Sequence, residues 1–303
     1  MIQTGQFWQN GSWVQGIWLN EAPSPQRDGC IWLRPHYFWL DGELISVDAW
    51  PEQFVPAGDL PGWWAGLRSY ATDRGTAVFR LRDYAARFVQ ANPGLITGQS
   101  DAAACLYQAI SQTVQANGYA ESYIRPVPVY ATPQGEAQPG KPRLGIVSAR
   151  WQPSLPEVER QQGIVAVSRA QGANMTLLPE GYTAVYTAAH LLVVQDGMVC
   201  VLSQGETPAS LARDTLLTLA HDAGFPVMER PIAWDDVQVA DEVLVASAAV
   251  GVVAVRELDG QVVGNGRTGP ITRHLQQLYQ NTVYGKNRYA RQWLDYMILE
   301  STI

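Results

Sequence analysis

Only two side chains in this 303-residue chain carry a primary amine, Lys141 and Lys286. An amine can condense with a carbonyl to form an imine. Arginine cannot take its place, because the guanidinium stays protonated. Lys141 stands in a proline- and glycine-rich stretch and Lys286 just ahead of the last predicted helix. Neither is a position that the rest of the sequence marks for chemistry. Metal chemistry has no better support. His36, His190, His221 and His274 show no ligand spacing, and Cys30, Cys105 and Cys200 are scattered, the pattern of reduced thiols rather than of a disulfide frame or a metal cage.

The elements that must position any site can be read from turn residues and periodicity. Phe7-Trp8-Gln9-Asn10-Gly11 echoes Phe38-Trp39-Leu40-Asp41-Gly42, and Asn-Gly and Asp-Gly both favour a tight hairpin turn. Residues 1–30 read as an aromatic extension carrying extra β structure, ended by Pro23, Pro25 and Gly29. Most of the tryptophans lie in this part of the chain, between Trp8 and Trp64. Aromatic residues favour strands and bury large areas, so as a group they read as core and interface rather than as a ligand box.

From 31 to 133 the pattern is strands followed by helices. Strands are predicted over Trp63–Tyr70 and Thr76–Leu81 about the turn Asp73-Arg74-Gly75. Helices are predicted from near Arg82 to before Pro93 and from Asp101 to Asn117, the second with Leu106, Ile110 and Val114 on one face and Gly118 as its stop. Tyr123–Ala131 reads as an edge strand because of Pro126 and Pro128. Residues 134–142 are the linker.

The second domain, 143–303, opens with a strand at Leu144–Arg150. A short helix is predicted over Pro156–Gln171, and strands between Asn174 and Ser203 turn at Gln195-Asp196-Gly197. Thr207 and Pro208 start a helix whose buried stripe is Ala212, Leu216, Leu219, Ala220 and Ala223, ended by Gly224. Strands at Glu242–Ser247 and Val252–Arg256 and helices near Thr272–Thr282 and Arg288–Leu299 complete the chain. The expected class is α+β in two domains, with ligands in a cleft between them.

Composition limits the partners. The net charge of −7 argues against nucleic acid, which needs clustered cations against its phosphates. No apolar run approaches the about 18 residues of a membrane span, and Met1–Asn20 lacks the basic start and apolar core of a signal peptide. A cytoplasmic protein is expected.

Several stretches together resemble the fold-type IV, class IV aminotransferases that use pyridoxal phosphate (PLP), branched-chain amino acid aminotransferases in particular. They are Phe38-Trp39-Leu40-Asp41-Gly42-Glu43, Gly66-Leu67-Arg68-Ser69-Tyr70, Phe79-Arg80-Leu81-Arg82-Asp83-Tyr84, Ser122-Tyr123-Ile124-Arg125-Pro126, Ala240-Asp241-Glu242-Val243 and the run Gly264-Asn265-Gly266-Arg267-Thr268-Gly269-Pro270-Ile271-Thr272. Their order and spacing over 38–298 carry the resemblance, which leaves 1–30 outside.

The resemblance implies roles for individual positions. Arg68 matches an arginine that helps hold the cofactor phosphate, work suited to its planar fork. Ser210-Leu211-Ala212 matches a Gly-(Ile/Val)-Thr helix start that binds phosphate through free N–H groups and the helix dipole. Ser210 replaces the glycine and Ala212 loses the threonine hydroxyl. Ser247 keeps the hydroxyl of a phosphate-contacting threonine, and Ala248 beside it matches a substrate-pocket position. Trp64, Tyr123 and Arg125 match substrate-pocket positions, where a cation among aromatics suits a carboxylate on an apolar body. Counting from Pro156, Arg160 occupies the position of the Schiff-base lysine. Aligning Gly181-Tyr182-Thr183-Ala184-Val185 places Val185 where a glutamate pairs with the pyridine nitrogen and makes the ring an electron sink.

The resemblance therefore implies a degenerate aminotransferase scaffold that binds a small carboxylate- or phosphate-bearing ligand without a Schiff base and pairs as a homodimer. The alternative is an active branched-chain aminotransferase-like or aminodeoxychorismate lyase-like enzyme that binds PLP.

Overall fold

The computed structural model describes residues 35–47, 54–56, 66–93, 101–131, 143–151, 155–171, 174–179, 190–202, 211–230 and 234–298. The expectations for residues 1–30, Trp63, Trp64, Lys141, Val185, Thr207, Pro208 and Ser210 lie outside them. The chain divides into two compact units. The first comprises residues 1–23, 31–152 and 289–303, and the second 24–30 and 153–288.

The first unit is built on an eight-stranded sheet. In chain order its elements are β1 (Tyr37–Leu40), β2 (Glu43–Ser46), β3 (Phe54–Pro56), β4 (Leu67–Thr72), β5 (Gly75–Phe79), α1 (Leu81–Ala91), α2 (Ala102–Asn117), β6 (Ser122–Ala131) and β7 (Arg143–Arg150). The sheet order is β16-β5-β4-β6-β7-β1-β2, where β16 is the last strand of the chain (Leu294–Tyr296) and β3 also pairs with β6. Helix α2 begins where the Asp101 side chain accepts the Ala104 amide at 2.9 Å and ends at Gly118, whose φ of 66° needs no Cβ. Its last residue, Asn117, fixes the first strand by accepting the His36 and Tyr37 amides at 2.7 and 3.0 Å and donating to the Tyr37 carbonyl at 2.9 Å.

The second unit holds α3 (Glu157–Gln162), β8 (Ile164–Gln171), β9 (Asn174–Pro179), β10 (His190–Gln195), β11 (Met198–Leu202), α4 (Leu211–Asp222), β12 (Val227–Arg230), α5 (Trp234–Gln238), β13 (Glu242–Ser247), β14 (Gly251–Leu258), β15 (Gln261–Val262) and α6 (Pro270–Val283). Its sheet runs β12-β11-β10-β13-β14-β8-β9, with β15 on β14. A core cluster that includes Ile164, Val193, Val243, Val245 and Val255 is drawn from alternate positions of these strands, as a period of two requires. Helices α4 and α6 pack against each other and on β13.

Four expectations are corrected. Residues 134–142 do not divide the units, because β7, the strand after them, pairs with β6 and β1 in the first sheet; the division falls between Gln152 and Pro153. Strand β6 is not an edge. It pairs along its length with β7, while β4 takes Tyr123 and Ile124 and β3 takes Val129–Ala131 on the other side. Pro126 and Pro128 fall in the stretch that neither β4 nor β3 claims, where a missing N–H costs nothing.

The helix predicted over Pro156–Gln171 lasts only six residues, Glu157–Gln162. Gly163 breaks it at a φ of 95°, and the β-branched run that follows forms β8. The last predicted helix is also short. It is α7 (Ala290–Trp293), and Leu294–Tyr296 then returns as β16 on β5. The stripe of α4 holds at Ala212, Leu216, Leu219 and Ala220, while Ala223 is exposed beyond the helix end.

Tyr84 on α1 is fully buried, and burial, reinforced by Tyr123, holds its phenol well above its usual pKa. The folded chain therefore keeps a proton that the unfolded chain releases near pH ~10. That stability is intact below the unfolded value and is lost as pH rises through it toward the raised folded value. The urea midpoint should fall above about pH 10, and Tyr84→Phe should flatten the fall.

Candidate functional site

Arg68 lies in β4 directly opposite Tyr123 of β6, and Tyr123 in turn lies opposite Ala149 of β7. Antiparallel partners share a face, and alternate residues return to it. Arg68, Tyr70, Tyr123, Arg125 and Ala149 therefore occupy one face of the first sheet, and Trp151, just past β7, continues it. Gly66 belongs there too, because a Cβ at that position would enter the Tyr123 ring. Glycine here is the room the phenol needs.

Arg68 is only 6% exposed. Its guanidinium carbon sits 3.4 Å from the centroid of a Trp151 ring and 4.4 Å from that of Tyr70. Its Nη2 is 3.5 Å from the Glu121 carboxylate. Its Nε is buried and has no hydrogen-bond partner among the described residues. A desolvated cation–π contact is worth about 2 kcal/mol, whereas an ion pair stretched to that distance makes a poor hydrogen bond. The two rings, more than Glu121, hold this arginine. The signal for Tyr70 was its i+2 spacing from Arg68 along a strand. Trp151 becomes a neighbour only through the pairing of β7 with β6.

The remaining expected positions fall in the second unit. Leu211 and Ala212 are the first described residues of α4, 9% and 5% exposed. The next residue, Arg213, pairs with Asp214 and Glu229. Ser247 ends β13, buried, and its hydroxyl accepts the Val250 amide at 3.3 Å across the turn that contains Ala248. Arg160 lies in α3, where its amide donates to the Pro156 carbonyl at 3.1 Å and its guanidinium pairs with Glu157 of the same turn. Lys286 is exposed just past α6, its amide bonded to the Asn281 carbonyl. Thus Arg68, Tyr123 and Arg125 come together in one unit, and Leu211, Ala212, Ser247, Ala248 and Arg160 stand in the other.

One further side chain organises the second unit. Glu242 is 7% exposed and accepts the Ile271 and Thr272 amides at 3.0 and 2.7 Å. Those N–H groups open α6, which has Pro270 at its start, and the carboxylate meets the positive end of the helix dipole. The signal was present in the sequence as the matched pair of stretches around Glu242 and Pro270. Among the described residues no group of three or more His, Cys, Asp or Glu could hold a metal, and no helix is long and apolar enough to cross a membrane.

No protein-family model matches the chain. Among curated proteins it is 28% identical to a branched-chain-amino-acid aminotransferase of Pseudomonas aeruginosa, over 88% of this chain and 97% of that protein. It is 24% identical to the enzyme of that name from Escherichia coli K12, over 86% and 96%. Among solved structures it resembles the branched-chain aminotransferase of the archaeon Thermoproteus uzoniensis with norvaline, with a TM-score of 0.66 and 21% identity over 86% of this chain and 99% of that one. It also resembles the E. coli branched-chain amino acid aminotransferase, with a TM-score of 0.67 and 22% identity over 86% and 99%. The chain is homologous to branched-chain aminotransferases and has their two-domain α+β, fold-type IV architecture.

Proposed function

We propose that this protein is a degenerate class IV aminotransferase-like scaffold that binds a small carboxylate- or phosphate-bearing molecule and forms no Schiff base with PLP. The observation that carries the reading is Arg160. It stands four residues after Pro156, where the resemblance calls for the lysine, and its guanidinium is engaged by Glu157. A guanidinium that never deprotonates cannot attack an aldehyde. Val185 adds to the reading from the sequence, since an apolar side chain cannot hold a ring nitrogen protonated. These residues do not suit PLP as a covalent partner, and no step of a reaction is assigned to it. What they do suit is recognition. Tyr123 and Arg125 share a sheet face on which a cation and an aromatic ring can orient a carboxylate. The homodimer and the cytoplasmic setting remain part of this proposal.

The test is covalent trapping. The full chain is incubated with PLP, reduced with borohydride and digested. Mass spectrometry should find no phosphopyridoxyl group at specific stoichiometry on Lys141 or Lys286. Stoichiometric labelling of either lysine, together with transamination of branched-chain amino acids, would establish the active-enzyme reading instead.

A further inference from the structure

Strand β2 pairs with β1 over Glu43–Ser46, and among the described residues nothing pairs with its other side. The turn between the two strands sets which groups point there. Asp41 and Gly42 both have positive φ, 47° and 108°, as a type I′ hairpin requires. Leu40 and Glu43, which flank that turn, form a hydrogen-bonded pair. By alternation Phe38–Ile45 and His36–Val47 are the next ones, and the Val47 amide does donate to the His36 carbonyl at 3.0 Å. The N–H and C=O groups of Leu44 and Ser46 therefore point away from β1, into the edge.

The side chains beside that edge are apolar. Trp39 lies opposite Leu44 and Tyr37 opposite Ser46, so Tyr37, Trp39 and Leu44 share a face, on which Tyr37 and Leu44 are each 41% exposed. An unpaired edge next to exposed apolar side chains is a template for another strand.

The N-terminal segment of the chain has the matching pattern. Gln6-Phe7-Trp8-Gln9-Asn10-Gly11-Ser12-Trp13-Val14-Gln15 repeats the plan of Tyr37-Phe38-Trp39-Leu40-Asp41-Gly42-Glu43-Leu44-Ile45-Ser46. Asn-Gly is among the dipeptides best suited to a type I′ turn. On the register of β1 and β2, Phe7 meets Val14 and Trp8 meets Trp13. A hairpin of that kind is apolar on both faces and only marginally stable by itself in water. The counterpart of the buried Leu40 is Gln9, a polar residue that suits an outermost position.

We infer that residues 6–15 form a second hairpin that adds to the open edge of β2 and sets Trp8 and Trp13 beside Trp39 and Leu44. The lengths agree, with four residues on each side of the turn in both segments. Residues 16–34 reach about 60 Å when extended, whereas neighbouring strands lie only about 4.8 Å apart. The occupant of the edge is thus this chain's own N-terminal segment, which closes a surface that would otherwise recruit a second chain. The inference is independent of the proposed function, since neither Arg160 nor a lysine takes part.

The test is amide hydrogen exchange at Leu44 and Ser46, followed by NMR in the full-length chain. Both amides should be protected, equally at two protein concentrations. Trp13→Pro should speed their exchange by about tenfold or more, the loss of a net backbone hydrogen bond. The amides of Ile110 and Val114 in α2 should be unchanged, which shows that the variant is folded. Gly11→Val disturbs the turn without a proline and should act in the same way.

Free exchange of Leu44 and Ser46 in the unaltered chain would overturn the inference. Protection that neither substitution reduces would overturn it too. Protection that falls on dilution of the unaltered chain would give the edge to a second copy instead.

Discussion

Glu242→Ala should lower the stability of the second unit by about 3 kcal/mol, with Glu242→Gln losing roughly half as much. The carboxylate is almost fully buried and both of its oxygens are used, Oε1 by the Ile271 amide and Oε2 by the Thr272 amide. Hydrogen bonds to a charged group are worth about 1.5–3 kcal/mol each, and deleting the acceptor leaves two buried N–H groups unmet. Glutamine keeps one acceptor oxygen and turns an amide group toward the other N–H, hence the intermediate loss. The readout is hydrogen exchange of the α6 amides together with the urea midpoint, at unchanged m. If Glu242→Ala leaves the α6 amides as protected as before, the carboxylate is not what holds the helix start. A coupled result is expected at Gly269, where a Cβ would enter the Glu242 side chain. Gly269→Ala should be costly in the natural background and nearly neutral beside Glu242→Ala, a non-additivity that direct contact requires.

Gly264→Ala should cost about as much, near 3 kcal/mol, from overpacking and backbone strain combined. Its φ is 53°, in the left-handed region, and a Cβ would strike the Asp241 carbonyl oxygen. That carbonyl cannot easily retreat. The Asp241 amide donates to the Val194 carbonyl at 2.9 Å, and its carboxylate accepts the Asp196 amide at 2.7 Å, so the residue is tied to the β10–β11 turn. Gly260→Ala is the control: it shares a positive φ of 79° but has open space around it, so it should show the strain alone. Equal losses at the two glycines, measured by denaturant midpoints, would show that the close approach at Gly264 contributes nothing.

The two predictions concern neighbouring parts of one arrangement. The stretches 240–243 and 264–272 form one structural device. Asp241 and Glu242 meet Gly264, Gly269 and the first amides of α6, and each residue type is demanded by its neighbour. None of them needs the scaffold's chemistry in order to be kept. At Arg160, by contrast, the local demand is only for a residue that can sit in a short helix, and Arg160 meets it by pairing with Glu157.

Local order was legible where it depends on local rules. The hairpin of β4 and β5 turns at Asp73-Arg74, with the Thr72 hydroxyl donating to the Gly75 carbonyl at 2.7 Å. Helix α2 starts at Asp101 and stops at Gly118, as its capping residues require, and the α4 stripe is buried up to the last turn. In the proposed site, Arg68, Tyr123 and Arg125 were named by the resemblance of the stretches that carry them. Their shared face follows from a period of two once the pairing is known.

Residue type and short-range spacing were enough for the α+β class and for most of the elements. Which strands meet emerged only in the folded chain. Folding put β7 and the returning β16 in the first unit, made β6 a central strand despite its prolines, and laid Trp151 over Arg68. Such partnerships are set by the burial of whole faces between segments far apart in the chain, and no local propensity encodes them.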